Sequence, residues 1–127
     1  MRCFLHFPFV GKLRNIAKKL WVIEKKPIAD DLPEAMAGEI LSKADIIALS
    51  ATTLINHTLE GLLAACKKDS FKVMLGPTSP MFDYGIDVIS GVKVFDTEMV
   101  LCYISEGATF RQVQGVRLLS MARLSHN

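Results

Sequence analysis

An apolar run that stops at a glycine constrains the fold of this chain more than any other stretch. Residues 71–75 are apolar except for Lys72, and residues 76–80 then read Gly-Pro-Thr-Ser-Pro. A buried strand that leads into two prolines and two hydroxyl residues predicts a rigid, hydrogen-bonding loop. Residues 46–50 form a similar apolar run, which also ends in hydroxyl residues. Two strands that end in polar loops are typical of a ligand-binding crevice in an open α/β sheet.

Short apolar runs alternate with segments of helical spacing along the chain. Asp31 and Asp96 are predicted helix caps, and Gly107 is a predicted helix stop. The helix after Asp96 is expected to bury Met99, Val100, Tyr103 and Ile104. The segment after Thr109 fits either one more helix or an edge element. The predicted strands cover residues 3–6, 20–24, 46–50, 71–75 and 87–92, and the predicted helices cover residues 9–19, 31–41, 53–67 and 96–106.

This alternation predicts an α/β fold with a mainly parallel sheet of about five or six strands and right-handed crossovers. We expect a single three-layer, Rossmann-like domain over residues 1–127, in which the tail from about residue 110 is assigned to no element. The expected strand order is the common 3-2-1-4-5, in which the loops after the first and fourth strands flank the point where the order reverses.

That strand order has a consequence for the predicted site. It would place His6 beside Thr78 and Ser79, at the ends of the first and fourth predicted strands. Thr52 and Thr53 would then lie in the loop of an outer strand.

Composition and charge exclude several classes of function. Half of the 127 residues are hydrophobic, 22% are charged and the net charge is only +2, so the chain is globular and has no electrostatic footprint for nucleic acid or an anionic membrane. No apolar segment approaches the roughly 20 residues that a transmembrane helix needs. Three dispersed cysteines without CxxC spacing argue against a disulfide framework and predict a cytoplasmic protein.

Two groups of polar residues are candidates for ligand binding. The loop from Gly76 through Pro77 and Thr78 to Ser79 offers backbone N–H groups and hydroxyls to an anionic group, or it is a rigid turn followed by a helix cap. Thr52, Thr53 and Asn56 can hydrogen-bond a polar ligand, or they are helix caps and surface residues. Neither GxGxxG nor GxxxxGK[ST] occurs, so no motif supports a dinucleotide or nucleoside triphosphate.

Metal binding and catalysis have weaker support in the sequence. His6, His57, Glu24 and the cysteines are suitable ligand types, but none of them shows metal-ligand spacing, so no metal site is predicted. Ser50 and Ser79 lack the GxSxG frame of a nucleophile elbow. No catalytic residue is assigned, and whether the protein is an enzyme is left open.

Five phrases in the chain resemble a known family. In order, they are residues 6–9 (His-Phe-Pro-Phe), 22–27, 51–58 (Ala-Thr-Thr-Leu-Ile-Asn-His-Thr), 75–80 and 85–91. Together they are similar to the Rossmann-like C-terminal domain of the putative heavy-metal-chelation family, whose function is unknown. The resemblance implies that full-length members carry an additional domain like the N-terminal domain of enolase, with a ligand cleft between the two. We expect this chain to be a shortened form without that domain.

The leading hypothesis from the sequence is a binding domain for a small polar or anionic ligand or a metal complex. Its expected site lies at the carboxyl edge of the sheet and consists of His6, Glu24, Thr52, Thr53, Asn56, Gly76, Pro77, Thr78 and Ser79. The alternative is an interaction or structural module whose chemistry depends on a missing partner domain or on an oligomer such as a homodimer.

Overall fold

The chain forms a mixed α/β structure, as its pattern predicts. The computed structural model describes residues 2–4, 10–80, 83–109 and 111–123, and for residues 2–4 it describes the backbone alone. Seven strands and five α-helices lie within these residues. The strands are β1 (Arg2–Phe4), β2 (Trp21–Glu24), β3 (Leu32–Pro33), β4 (Ile46–Ser50), β5 (Phe71–Leu75), β6 (Val88–Val94) and β7 (Val116–Ala122), and the helices are α1 (Val10–Arg14), α2 (Ala37–Leu41), α3 (Thr52–Ile55), α4 (Leu59–Ala65) and α5 (Thr97–Ser105).

All seven described strands belong to one sheet with the order β3-β2-β1-β4-β5-β6-β7. Neighbouring strands are parallel from β3 to β6, and β7 pairs antiparallel with β6. The sheet is therefore mainly parallel, with seven strands where five or six were expected. The additional strands are β3, which lies inside a predicted helix, and β7, which takes the edge-element alternative for the tail.

The short strand β3 corrects the predicted strand order. Asp31 does not cap a helix, because the two residues after it form β3. Its carboxylate accepts a hydrogen bond from the Ile28 N–H at 3.2 Å. Leu32 and Pro33 instead pair with Ile23 and Glu24 of β2, and a 3-10 turn follows before α2. The run at residues 46–50 is consequently the fourth strand, and β4 lies directly beside β1.

The expectation that Thr78 and Ser79 flank the reversal point is wrong for this reason. They follow β5, which is separated from β1 by β4. The loop that begins at Thr52 follows β4, so it lies beside the reversal point and not in an outer strand.

Two predicted helices are shorter than their apolar spacing indicated. The first ends at Arg14, where Asn15 and Ile16 donate to carbonyls three residues back, and Ile16 is 78% exposed. The predicted helix over residues 53–67 divides into α3 and α4 at His57, whose φ is +55°. A positive φ cannot continue a right-handed helix, so the chain changes direction there.

The core lies where the central strands and α2 meet. Its largest fully buried side chains are Ile23, Leu41, Ile47, Leu49, Met74 and Ile89. The cap on α5 is confirmed, because the Asp96 carboxylate accepts from the Met99 N–H at 2.9 Å. The predicted burial of Met99 and Ile104 is wrong, since both are exposed and α5 buries only Val100. In the part of the chain that the structure describes, no helix is long and apolar enough to cross a membrane.

Candidate functional site

The end of β4 forms a compact hydroxyl-rich turn. Ser50 Oγ accepts from the Thr52 N–H at 3.2 Å and lies 2.9 Å from the Thr52 hydroxyl, which donates to it. The buried Thr53 hydroxyl donates to the Ser50 carbonyl at 2.7 Å. These bonds start α3 immediately after the strand, and they hold Thr52 half-buried at the carboxyl edge of the sheet.

The break between α3 and α4 places further polar groups at the same edge. The Asn56 N–H donates to Thr52 O and the Thr58 N–H donates to Thr53 O, both at 2.9 Å. His57 lies between them with a positive φ, which histidine adopts more readily than β-branched residues do. The turn therefore returns Asn56 and Thr58 toward the start of α3.

Two carboxylates reach this edge from the neighbouring strands. Glu24 is the last residue of β2, and its parallel partner is Pro33, the last residue of β3. Glu34 follows at once, so it also emerges at the carboxyl edge. Both glutamates are half-buried.

These groups line one cavity of about 130 Å³. The described part of its wall contains two carboxylates, one ammonium, hydroxyls and an amide, so the ionised side chains of this part carry a net charge of −1. A water occupies about 30 Å³ of liquid volume, so the cavity admits a group of only a few non-hydrogen atoms. The described residues that line it are Glu24, Lys25, Glu34, Thr52, Thr53, Asn56 and Thr58.

The cavity unites four of the predicted site residues: Glu24, Thr52, Thr53 and Asn56. Of these, Thr53 donates its hydroxyl proton to Ser50 O, so this hydroxyl stabilises the turn. The predicted residue His6 lies outside the described residues.

The loop after β5 does not line this cavity. Pro77 and Thr78 are exposed, whereas Ser79 is buried and its N–H donates to Gly76 O at 3.1 Å. Among the described residues, no partner lies within hydrogen-bonding distance of the Ser79 hydroxyl. Gly76 contacts Ala51, the residue before α3. This loop therefore supports the hydroxyl-rich turn from the neighbouring strand.

Three lining residues were missed by the sequence reasoning: Lys25, Glu34 and Thr58. Glu34 was assigned to the first turn of a helix, whereas β3 delivers it to the sheet edge. The signal was the Leu-Pro pair at residues 32–33, since proline is tolerated at the edge of a sheet. Thr58 was missed because the helix break at His57 has no glycine to indicate it.

A roomier cavity of about 370 Å³ lies at the opposite, amino-terminal edge of the sheet. It is an open groove between α1, Trp21 and Ile46, and Lys19 stands over the Trp21 ring at 4.8 Å. Nearby, the Lys67 ammonium bonds the Asp45 carboxylate at 2.8 Å and holds the pKa of that carboxyl below its ordinary value. We place the site at the carboxyl edge, because strand ends and helix starts converge there.

The donor set of the smaller cavity limits which metals it fits. Carboxylate, hydroxyl and amide oxygens suit hard cations, whereas soft metals prefer thiolate or imidazole. The described part of the chain holds no group of three or more His, Cys, Asp or Glu side chains arranged to bind an ion. The described residues therefore do not fit a soft heavy metal held directly by protein ligands.

Comparison with known proteins decides the family. The chain matches the family DUF364, described as "Putative heavy-metal chelation", over residues 6–122. The chain belongs to this family. It is also 30% identical over 106 residues to "Uncharacterized protein MJ0500" of Methanocaldococcus jannaschii, an alignment that covers 76% of this chain and 41% of that protein.

Two crystal structures of DUF364 proteins of unknown function share the fold. The protein from Desulfitobacterium hafniense DCB-2 superposes with a TM-score of 0.81 at 20% identity, over 96% of this chain and 52% of that one. The protein PH1506 from Pyrococcus horikoshii gives a TM-score of 0.83 at 23% identity, over 96% and 53% of the two chains. The DUF364 chain described here thus spans about half the length of these relatives.

Proposed function

We propose that this DUF364 chain is a Rossmann-like binding domain that holds a small cationic group at the carboxyl edge of its sheet. That group is a hydrated cation of a metal complex or the ammonium of an organic ligand. One observation carries the proposal: Glu24 and Glu34 converge with the Thr52 helix start on the cavity of about 130 Å³.

Charge favours a cation over the anion that the sequence left open. Two half-buried carboxylates and one lysine surround a small space, and bringing an anion there would add a like charge to a partly desolvated site. A cation gains attraction from both carboxylates. The Thr52 hydroxyl and the Asn56 amide can accept hydrogen bonds from its hydration shell or its N–H groups.

Size favours a small group over a whole cofactor. Sites for drug-sized ligands occupy about 300–1,000 Å³, so a nucleotide does not fit within this cavity. A larger ligand would place only one charged end here.

The strand order supports the Rossmann-like, three-layer part of the proposal. Reading β3-β2-β1-β4-β5-β6 gives 3-2-1-4-5-6, the order of doubly wound dinucleotide-binding sheets. Ligands in such sheets bind where the order reverses, and the hydroxyl-rich turn follows β4 at that point.

The predicted cytoplasmic location stays a prediction.

The family relationship also bears on what covers the cavity. The family's description names heavy-metal chelation, and the relatives compared above are about twice as long as this chain. We propose that their remaining length forms the enolase-like domain that the resemblance implies, and that this domain completes a cleft over the cavity. A metal would then be bound as a complex, with oxygen contacts from this domain.

Native mass spectrometry of protein purified without added metal tests the proposed function. The wild type is expected to retain a small ligand or ion, and the double variant Glu24→Gln/Glu34→Gln is expected to lose it. The double variant Glu98→Gln/Glu106→Gln removes the same charge from exposed positions in α5 and at its C-terminal end, and it should retain the ligand. A ligand kept equally by all three proteins would contradict the proposal.

A second candidate function, the interaction module, is favoured by a different surface. Leu101 and Ile104 of α5 and Leu118 of β7 are all more than half exposed. An interaction module would use exposed apolar side chains of this kind to contact a partner. Small-angle scattering of the variant Leu101→Lys/Ile104→Lys would separate the two. A module that associates through α5 loses apparent mass in this variant, whereas a binding domain keeps the wild-type mass.

A further inference from the structure

Strand β7 is a long and regular edge of the sheet. All seven of its residues pair with β6 in an unbroken register from Val116↔Val94 to Ala122↔Val88, without a bulge. It contains no proline and one charged residue, Arg117. Natural sheets usually blunt such an edge with charges, prolines, bulges or a cover. Within the described residues, β7 has only the charge of Arg117.

The direction of the β7 backbone groups follows from the two ends of the ladder. Gly115 O accepts from the Phe95 N–H, and the Arg123 N–H donates to Asp87 O, both at 2.8 Å. In an antiparallel pair, alternate residues exchange hydrogen bonds with the partner strand, so the odd-numbered residues face β6. The N–H and C=O groups of Val116, Leu118, Ser120 and Ala122 therefore point away from the sheet.

We propose that two copies of this chain pair antiparallel through β7 and form one continuous sheet about a two-fold axis at Leu119. With this register, Val116 lies opposite Ala122 of the second copy, and Leu118 lies opposite its Ser120. By symmetry there are four hydrogen-bonded pairs of two bonds each, and every outward backbone group of β7 is used.

Charge and bond number select this register over its neighbours. Centring the axis on Leu119 sets Arg117 opposite Met121 of the second copy. Centring it on Ser120 would set Arg117 opposite Arg123 of the second copy, and like charges directly opposite are destabilising. Axes at Leu118 or Ser120 also leave only three hydrogen-bonded pairs within the strand.

The exposed side chains of β7 include large apolar residues, as expected for a strand that a partner covers. Leu118 is 76% exposed on one face, and Leu119 and Met121 are more than a third exposed on the other. Pairing brings Leu119 against its own symmetry mate at a non-hydrogen-bonded position, where side chains approach most closely. Apolar contact thus accompanies the backbone bonds on both faces.

Oligomeric state measured by sedimentation tests the pairing. One strand edge buries little surface, so we expect a reversible dimer of the 14.1 kDa chain with a dissociation constant on the order of micromolar. Leu118→Pro removes an outward N–H and no bond to β6, so it should weaken the dimer about tenfold or more while the monomer stays folded. Leu118→Lys, which leaves the backbone intact, should weaken it as well.

A disulfide test fixes the register. Leu119→Cys in a Cys102→Ser background should cross-link rapidly under mild oxidation, since directly opposite Cα atoms lie about 4.5 Å apart. Leu118→Cys in the same background is the control, because its symmetry mate is a diagonal neighbour about 7–8 Å away. A wild type that stays monomeric at about 300 µM, a dimer unaffected by both Leu118 variants, or equal cross-linking by the two cysteines would overturn the proposal.

Discussion

Gly76 lies directly against Ala51, so the loop after β5 packs on the residue that precedes α3. A Cβ placed on Gly76 would stand 3.1 Å from Ala51 Cβ, and the φ of Gly76 is +142°. The Ala51 N–H donates to Leu75 O at 2.9 Å, which extends the ladder between β4 and β5 by one residue. The glycine that ends the apolar run is therefore required by the neighbouring strand's loop.

Substitution of Gly76 tests this contact. Gly76→Ala should lower the free energy of unfolding by about 1–3 kcal/mol, because the backbone conformation is strained for alanine and its Cβ crowds Ala51. The measurement is urea denaturation. Gly38→Ala in helix α2 is the control: nothing stands within 4 Å of its added Cβ, so it should stabilise by about 0.5–1 kcal/mol. Equal effects from the two substitutions would show that the Gly76 contact is unimportant.

Thr53 is expected to act on stability through its hydroxyl. Thr53→Val leaves the buried Ser50 carbonyl without the 2.7 Å bond and should cost about 1–3 kcal/mol. Thr78→Val, at an exposed position of the β5 loop, should change the unfolding free energy by less than about 0.5 kcal/mol. If chemical denaturation gave the same stability for both variants, Thr53 would not be part of the turn.

Ser79→Ala is predicted to leave stability unchanged or to raise it. The Ser79 side chain is buried and, among the described residues, its hydroxyl has no hydrogen-bonding partner. Removing a buried polar group of this kind relieves its desolvation cost. The melting temperature of the variant would fall clearly below that of the wild type if the hydroxyl made a stabilising bond.

The Asp45–Lys67 ion pair lies at the amino-terminal edge and is expected to stabilise the folded protein only within a range of pH. The bond to Lys67 lowers the pKa of Asp45 from 3.8, and the bond to Asp45 raises the pKa of Lys67 from 10.5. The carboxylate's stabilisation is present above its unfolded pKa and is lost as pH falls through its lowered folded value. The ammonium's stabilisation is present below 10.5 and is lost as pH rises through its raised folded value.

Asp45→Asn should therefore melt slightly below the wild type between about pH 5 and 9 and match it at both extremes. The effect should be small and should shrink with added salt, because both groups are exposed to solvent. A melting-temperature difference that persisted unchanged below pH 3 would mean that Asp45 acts through something other than this ion pair.

Strands with clear ends were predictable from the sequence. Residues 46–50 and 71–75 are bounded by turn-forming or hydroxyl residues, and both strands have the predicted bounds. Apolar content and flanking residues suffice for such strands. The Asp96 cap was predictable for the same local reason, since a carboxylate at a helix start satisfies an unpaired N–H.

The rest depended on tertiary contacts that leave little local signal. A two-residue strand such as β3 forms only because β2 supplies its partner. Because β3 was not predicted from the sequence, Thr52 was placed away from the reversal point and Glu34 was not assigned to the site. Burial on α5 was overestimated at Met99 and Ile104, because helical periodicity identifies an apolar face without showing what covers it. Of the candidate site, Glu24, Thr52, Thr53 and Asn56 were found because each lies beside the end of a predicted strand.

Chemical-shift mapping of ¹⁵N-labelled protein with Mg²⁺ and, separately, methylammonium tests the proposed site most directly. We predict that at least one cation shifts the amide signals of Lys25, Glu34 and Asn56 most strongly. The shifts should be lost in Glu24→Gln/Glu34→Gln and kept in Glu98→Gln/Glu106→Gln. Signals that move instead around Trp21 and Ile46, or no response to either cation, would contradict a cation site at the carboxyl edge.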